Sequence, residues 1–112
     1  ADSGVSPFCC YGQFSRLAGA DAAIFTSFGG RFPFTEEVCR KICDGTETEM
    51  GGLRSIFPVP SGGMKWQLFK KMVQVYGPDA IFLVGGALLT ESDDLTANMH
   101  FYFEKLNEAV NK

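Results

Sequence analysis

Two hydrophobic patterns alternate along the chain. Phe8, Tyr11, Phe14, Leu17 and Ala18 recur at the three- and four-residue spacing of a buried helical stripe. Ser6 suits the N-cap of that helix, Pro7 its first position and Gly19 its end. Ala22–Thr26 then runs apolar without alternation, which predicts a strand covered on both faces, as in parallel sheets. The loop from Ser27 to Phe34, rich in glycine and containing Pro33, leads to a second helix. Thr35 is its expected N-cap, Glu36 and Glu37 suit its positive end, Val38, Cys39, Ile42 and Cys43 point inward, and Gly45 stops it.

The polar, glycine-containing stretch Thr46–Leu53 predicts a surface connection, and Ser55–Val59 a second strand. Pro58 lacks an N–H for a central ladder, which places it at the strand end. Pro60-Ser61-Gly62-Gly63 reads as a loop. Lys65–Tyr76 reads as an amphipathic helix with Leu68, Phe69, Met72, Val73 and Tyr76 on one side, ended by Gly77-Pro78. Asp79–Val84 is a third predicted strand, followed at once by Gly85-Gly86-Ala87. Ser92 is the expected cap of a last helix reaching about Val110, with Asp93 and Asp94 near its positive end and Leu95, Met99, Phe103, Leu106 and Val110 as its stripe.

Strands alternating with helices imply parallel pairing. The predicted class is α/β: one domain over 1–112, a leading helix and about three βα units with parallel strands. Three strands make an incomplete sheet with open edges. The pattern therefore points to a partial barrel, which needs its remaining strands, or to an obligate oligomer, a homo-oligomer of this chain.

Composition narrows the function. Hydrophobic residues make up 46% and charged residues 21% of the 112, which is globular, and 11 Phe add surface that wants a partner. A net charge of −3 and no basic stripe argue against nucleic acid. The apolar runs Ala22–Phe25 and Ala80–Val84 are far too short to span a bilayer, and no signal peptide is visible, so no membrane role and a cytoplasmic location are expected. Ala1 in place of a Met leads us to expect processing or a longer parent chain. Cys9 and Cys10 are vicinal and Cys39 and Cys43 sit one helical turn apart. These spacings do not match the usual zinc patterns and read as reduced, packed thiols.

The informative motifs are the two glycine loops. Ser61-Gly62-Gly63 follows one strand and Gly85-Gly86 the next. Loops at the strand-to-helix end of successive parallel units are where barrels hold phosphate, because glycine lets backbone N–H groups approach an anion. Simple tight turns are the alternative. No metal site is predicted: Asp21 and Asp79 precede their strands, and Asp93 and Asp94 read as helix-start charges. His100 reads as a surface or packed histidine, Lys70 and Lys71 as a solvated face, Lys65 as a solvated lysine or an added charge for a phosphate at the Ser-Gly-Gly loop, and Trp66 as packing or a subunit contact.

Pro58-Val59-Pro60-Ser61-Gly62-Gly63-Met64, Val75-Tyr76-Gly77-Pro78-Asp79 and Phe82-Leu83-Val84-Gly85-Gly86-Ala87, with Arg16-Leu17-Ala18-Gly19-Ala20-Asp21-Ala22 upstream, closely resemble the C-terminal barrel region of RuBisCO large subunits, and more strongly RuBisCO-like (type IV) proteins. The resemblance covers nearly the whole chain. It implies that units six to eight of a barrel are present and that Ser61, Gly62, Gly63, Gly85 and Gly86 bind one phosphate of a phosphorylated sugar. It places Gly29-Gly30-Arg31 in the mobile loop six, where RuBisCO has a lysine and this chain has Arg31. Ile24 stands where RuBisCO has a histidine. The family's magnesium, which assists enolisation and carboxylation-type chemistry, is held on a barrel strand that this sequence does not contain, so no cofactor is expected in the chain itself and activity alone is not expected. The alternatives are a non-catalytic oligomerising module and an unrelated small α/β phosphate-binding domain.

Overall fold

The computed structural model describes residues 4–29 and 34–111. The first helix, α1, starts as a π-helical stretch, Phe8–Gln13, and continues as α-helix over Phe14–Leu17. Strand β1 is Ala22–Thr26, α2 is Glu36–Glu47 and β2 is Phe57–Ser61. A 3₁₀ turn, Trp66–Leu68, opens α3, Phe69–Tyr76; α4 is the single turn Gly86–Leu89, and α5 is Leu95–Val110.

The two strands pair in parallel, with Ala22 opposite Phe57 and Thr26 opposite Ser61. The expected third strand is reduced to one bridge, Leu83 with Ser61. The prolines of β2 give the reason. Phe57 N–H donates to Asp21 O and Ser27 N–H to Ser61 O, so the odd-numbered residues of β2 face β1. Pro58 and Pro60 face the other way, where their carbonyls accept from Ile81 N–H (3.0 Å) and Leu83 N–H (3.1 Å). Neither can return an N–H, so half of that ladder is missing. Pro58 is thus inside the strand and not at its end, and Pro60 and Ser61 belong to the strand and not to the loop.

All the helical packing lies on one face of this sheet. Phe25, with the fully buried Pro58 and Pro60, meets a core of Cys39, Ile42 and Cys43 from α2, Phe69, Met72, Val75 and Tyr76 from α3, and Tyr102 from α5. The opposite face is apolar and uncovered: Ile24, Phe57, Ile81 and Leu83 are each about half exposed or more. Thr35 caps α2 as its sequence predicts, accepting from Val38 N–H at 3.1 Å, and Gly77 ends α3 at φ +78°.

Three helical expectations are corrected. Gly45 does not end α2; the helix runs on to Glu47, and Gly45 is buried where α2 crosses α1. A Cβ on Gly12 would sit 2.6 Å from the Gly45 backbone, and one on Gly45 would collide with Phe8 O. This glycine-on-glycine contact, together with the π stretch, rotates α1. Phe14, Leu17 and Ala18, expected inside, are exposed, while Gly12 and Arg16 are buried. On α5 the cap is Asp94, accepting from Ala97 N–H at 3.1 Å, and not Ser92. Its buried positions are Asn98 and Tyr102, whereas Leu95, Met99, Phe103 and Val110 form an exposed stripe.

Arg16 holds the α1, α2 and loop junction. It is 4% exposed, and its guanidinium donates to Arg54 O (3.0 Å), Gly45 O (3.3 Å), Thr48 O (2.5 Å) and Leu53 O (3.0 Å). Two of these carbonyls close the C-terminal end of α2, where a cation is favoured.

Candidate functional site

The Leu83–Ser61 bridge sets the two glycine loops side by side. Gly62 follows Ser61 directly, and Gly85 comes two residues after Leu83, so both loops leave the same end of the sheet. Gly62 and Gly63 hold φ of +79° and +64°, the left-handed region that favours glycine. Met64, 2% exposed, then plugs the loop into the core. Gly85 and Gly86 are exposed, and a Cβ on either would meet nothing within 4 Å, so the backbone there is open to a ligand. Among the described residues the N–H groups of Gly63, Gly85 and Gly86 donate to no backbone or side-chain acceptor. N–H groups on adjacent loops with no partner among the described residues, exposed at Gly85 and Gly86, are what an anion needs.

The Ser61 hydroxyl donates to Phe25 O at 3.0 Å and so closes β1 onto β2. Beside it, Ser27 N–H donates to Ser61 O, and Ser27 Oγ pairs with Tyr76 Oη at 2.7 Å. Cys39 Sγ donates to Thr26 O at 3.5 Å. This buried cluster fixes the end of β1 from the α2 and α3 side. Arg31 lies outside the described residues, as do Gly30, Phe32 and Pro33.

Burial raises the Cys39 thiol and pushes Cys43 up to about 12 from 9.0, with Glu47, Cys39 and Asp44 adding like charge. Burial likewise raises the Tyr76 phenol. These groups stay protonated at neutral pH. They serve packing and not nucleophilic chemistry. Ellman's reagent is expected to modify the exposed Cys10 readily, and Cys39 and Cys43 only as fast as the chain opens. For Cys43 the unfolded thiol releases its proton from about 9.0, below its folded value of about 12. Stability is therefore expected to fall as pH rises between those limits, in equilibrium urea unfolding, and Cys43→Ala should flatten that slope.

The other sequence candidates lie apart from the loops or are engaged elsewhere. Lys65 is exposed at the start of the 3₁₀ turn. Trp66 stacks edge-on against Phe101 (5.4 Å) under the Lys105 ammonium (4.7 Å). Lys71 pairs with Glu36 at 3.1 Å, and His100 is exposed on α5. Asp21 lies just before β1, and Asp79 precedes the segment that bridges to Ser61 through Leu83, so both are at the end of the sheet away from the glycine loops. Among the described residues no three His, Cys, Asp or Glu side chains converge on a possible metal position. No helix among them is long and apolar enough to cross a membrane.

One buried polar residue escapes a hydrophobic reading. Asn98 is 2% exposed. Its Nδ2 donates to Leu88 O (2.8 Å) and Ser92 O (3.1 Å), and its Oδ1 accepts from Ser92 Oγ. It ties α5 to the segment that follows Gly85-Gly86.

No family model matches the sequence. Among curated proteins, the chain is 42% identical over 94 residues to a 5-methylthioribulose-1-phosphate isomerase of Rhodospirillum rubrum, covering 84% of this chain and 25% of that protein. It is 39% identical over 92 residues to ribulose bisphosphate carboxylase-like protein 1 of Rhodopseudomonas palustris, covering 82% of this chain and 25% of that protein. The crystal structure of a rubisco-like protein from Alicyclobacillus acidocaldarius superposes with a TM-score of 0.78 at 26% identity, covering 92% of this chain and 26% of that one. The chain thus spans about 25% of the length of the curated relatives it matches. With parallel strands, helices on one face and glycine loops at one end, the fold is a partial (β/α)8 barrel, and the chain belongs to the RuBisCO and RuBisCO-like protein family, as a stretch of its C-terminal barrel region.

Proposed function

We propose that this chain supplies the phosphate grip of a RuBisCO-like protein acting on a phosphorylated sugar. The observation that carries this reading is the Leu83–Ser61 bridge, which puts the Ser61-Gly62-Gly63 and Gly85-Gly86 loops next to each other at one end of the sheet. A phosphate between them accepts from the open backbone N–H groups of Gly63, Gly85 and Gly86, with Gly62 shaping the turn and Ser61 fixing it to β1. Arg31, between β1 and α2 in the sequence, is by the family resemblance the cation that contacts the rest of the substrate. The R. rubrum relative is named for an isomerase of a phosphorylated sugar, which favours that substrate class.

The single domain 1–112 corresponds in this reading to barrel units six to eight. The uncovered face of Ile24, Phe57, Ile81 and Leu83 then points to the barrel interior and meets the remaining strands. When bound, magnesium would assist enolisation or carboxylation-type chemistry by stabilising the enediolate. The described side chains form no donor set for it, so we assign it to no residue here. The chain's own part is to bind and orient, and it is inactive alone. The same uncovered face favours a second reading, a non-catalytic module that covers this surface with further copies of itself.

Inorganic phosphate is expected to bind saturably, and Gly63→Ala, which strains a left-handed turn and re-aims its N–H, should weaken binding roughly tenfold. Isothermal calorimetry on both chains checks this. Equal affinities would reject the cradle, and sedimentation of the free chain as a stable dimer with no phosphate affinity would favour the second reading.

A further inference from the structure

We propose that Asn98 is a positioning residue for the phosphate grip, holding the Gly85-Gly86 loop in place through the carbonyl of Leu88; this rests on the phosphate reading above. Val84, Ala87 and Leu88 pack against the core on either side of the loop, and beyond that packing it has few polar anchors. Gly85 and Gly86 have no side chains to pack, and both are exposed. The helix they open, α4, is four residues long, and a single turn is not stable by itself. Its internal bonds are Leu89 N–H to Gly85 O and Thr90 N–H to Gly86 O, with the Thr90 hydroxyl also on Gly86 O at 2.9 Å.

On the strand side the loop is held by a single bridge, with Leu83 N–H donating to Pro60 O. On the helix side the anchor is Asn98. Its amide donates to Leu88 O, in the last turn of α4, and to Ser92 O, while Ser92 Oγ donates to Asn98 Oδ1. One of these bonds reaches α4 and the other two reach Ser92, between α4 and α5, while Asn98 itself sits in the first turn of a sixteen-residue helix. The amide thus couples a rigid element to a loop that lacks rigidity of its own. An apolar residue would fill the same buried position on α5 but leave Leu88 O and Ser92 O without these donors.

The test compares Asn98→Ala and Asn98→Asp with Met72→Ala, a core truncation away from the loop, by amide NMR titration with inorganic phosphate. The expected result is a roughly fivefold weaker phosphate affinity for both Asn98 variants, the loss of about one good hydrogen bond, and faster amide exchange at Leu89 and Thr90. Met72→Ala should show neither. Unchanged affinity and unchanged Leu89 and Thr90 exchange in folded Asn98 variants would overturn the inference, as would equal effects of Met72→Ala. If Asn98→Ala does not fold, Ser92→Ala, which removes one of the three bonds, replaces it under the same criteria. If the unmodified chain binds no phosphate, the phosphate reading fails, and the anchoring role is then decided by the exchange rates alone.

Discussion

Arg16→Ala is expected to lower the unfolding free energy by about 3–5 kcal/mol, enough to leave a domain of this size largely unfolded at moderate temperature. The guanidinium donates to four backbone carbonyls, and alanine would remove this donor from all four, leaving Gly45 O buried and the other three part-buried beside a cavity. Two of them, Gly45 O and Thr48 O, end α2. The other two, Arg54 O and Leu53 O, hold the connection into β2. Loss of the side chain would therefore loosen the helix end and the entry to the strand together. Lysine keeps the charge but cannot reach several carbonyls at once with one ammonium, so Arg16→Lys should recover less than half of the loss. Urea unfolding of the three chains, read by midpoint at constant slope, measures this.

Gly45→Ala is expected to destabilise by about 3 kcal/mol or more. The added methyl would collide with Phe8 O and lie 3.2 Å from Gly12 Cα. These are backbone atoms, which cannot swing aside as a side-chain tip can. Relief requires α1 and α2 to separate, and that moves Arg16 off its carbonyls. Gly12→Ala should behave alike, since its Cβ would lie 2.6 Å from Gly45 Cα. The double variant should lose less than the sum of the two, because one separation of the helices relieves both clashes. By contrast, Gly52→Ala, with nothing within 4 Å of its Cβ, should change stability little. Thermal unfolding of the four chains separates these cases.

Features set by local chemistry were legible in the sequence. The Thr35 cap, the Gly77 stop, β1 and the order of helices and strands as far as α3 all follow from caps, breakers and periodicity. The glycine loops were legible as motifs, and the resemblance gave them a place in a barrel. What failed depended on tertiary geometry. The inward face of α1 was misread because the π stretch and the Gly12–Gly45 crossing change its phase. The α5 stripe of Leu95, Met99, Phe103 and Val110 looked like a core face, but the helix packs through Asn98 and Tyr102. The third strand looked strong from Ala80 to Val84. Its weakness lies in Pro58 and Pro60 of its neighbour, an effect visible only once the register is known. Arg16 and Asn98 carry no periodic signal at all. A buried polar residue looks like a surface residue until its acceptors are placed around it. For Asn98 the sole local hint was its position four residues after the Asp94 cap.

The central claim is that the two glycine loops form one phosphate site, and amide NMR titration of the chain with inorganic phosphate and a sugar bisphosphate, without magnesium, tests it most directly. The account predicts saturable shifts at Gly62, Gly63, Gly85 and Gly86 that fit one dissociation constant for each ligand. A well-dispersed spectrum of the folded chain in which those four amides stay still would contradict it.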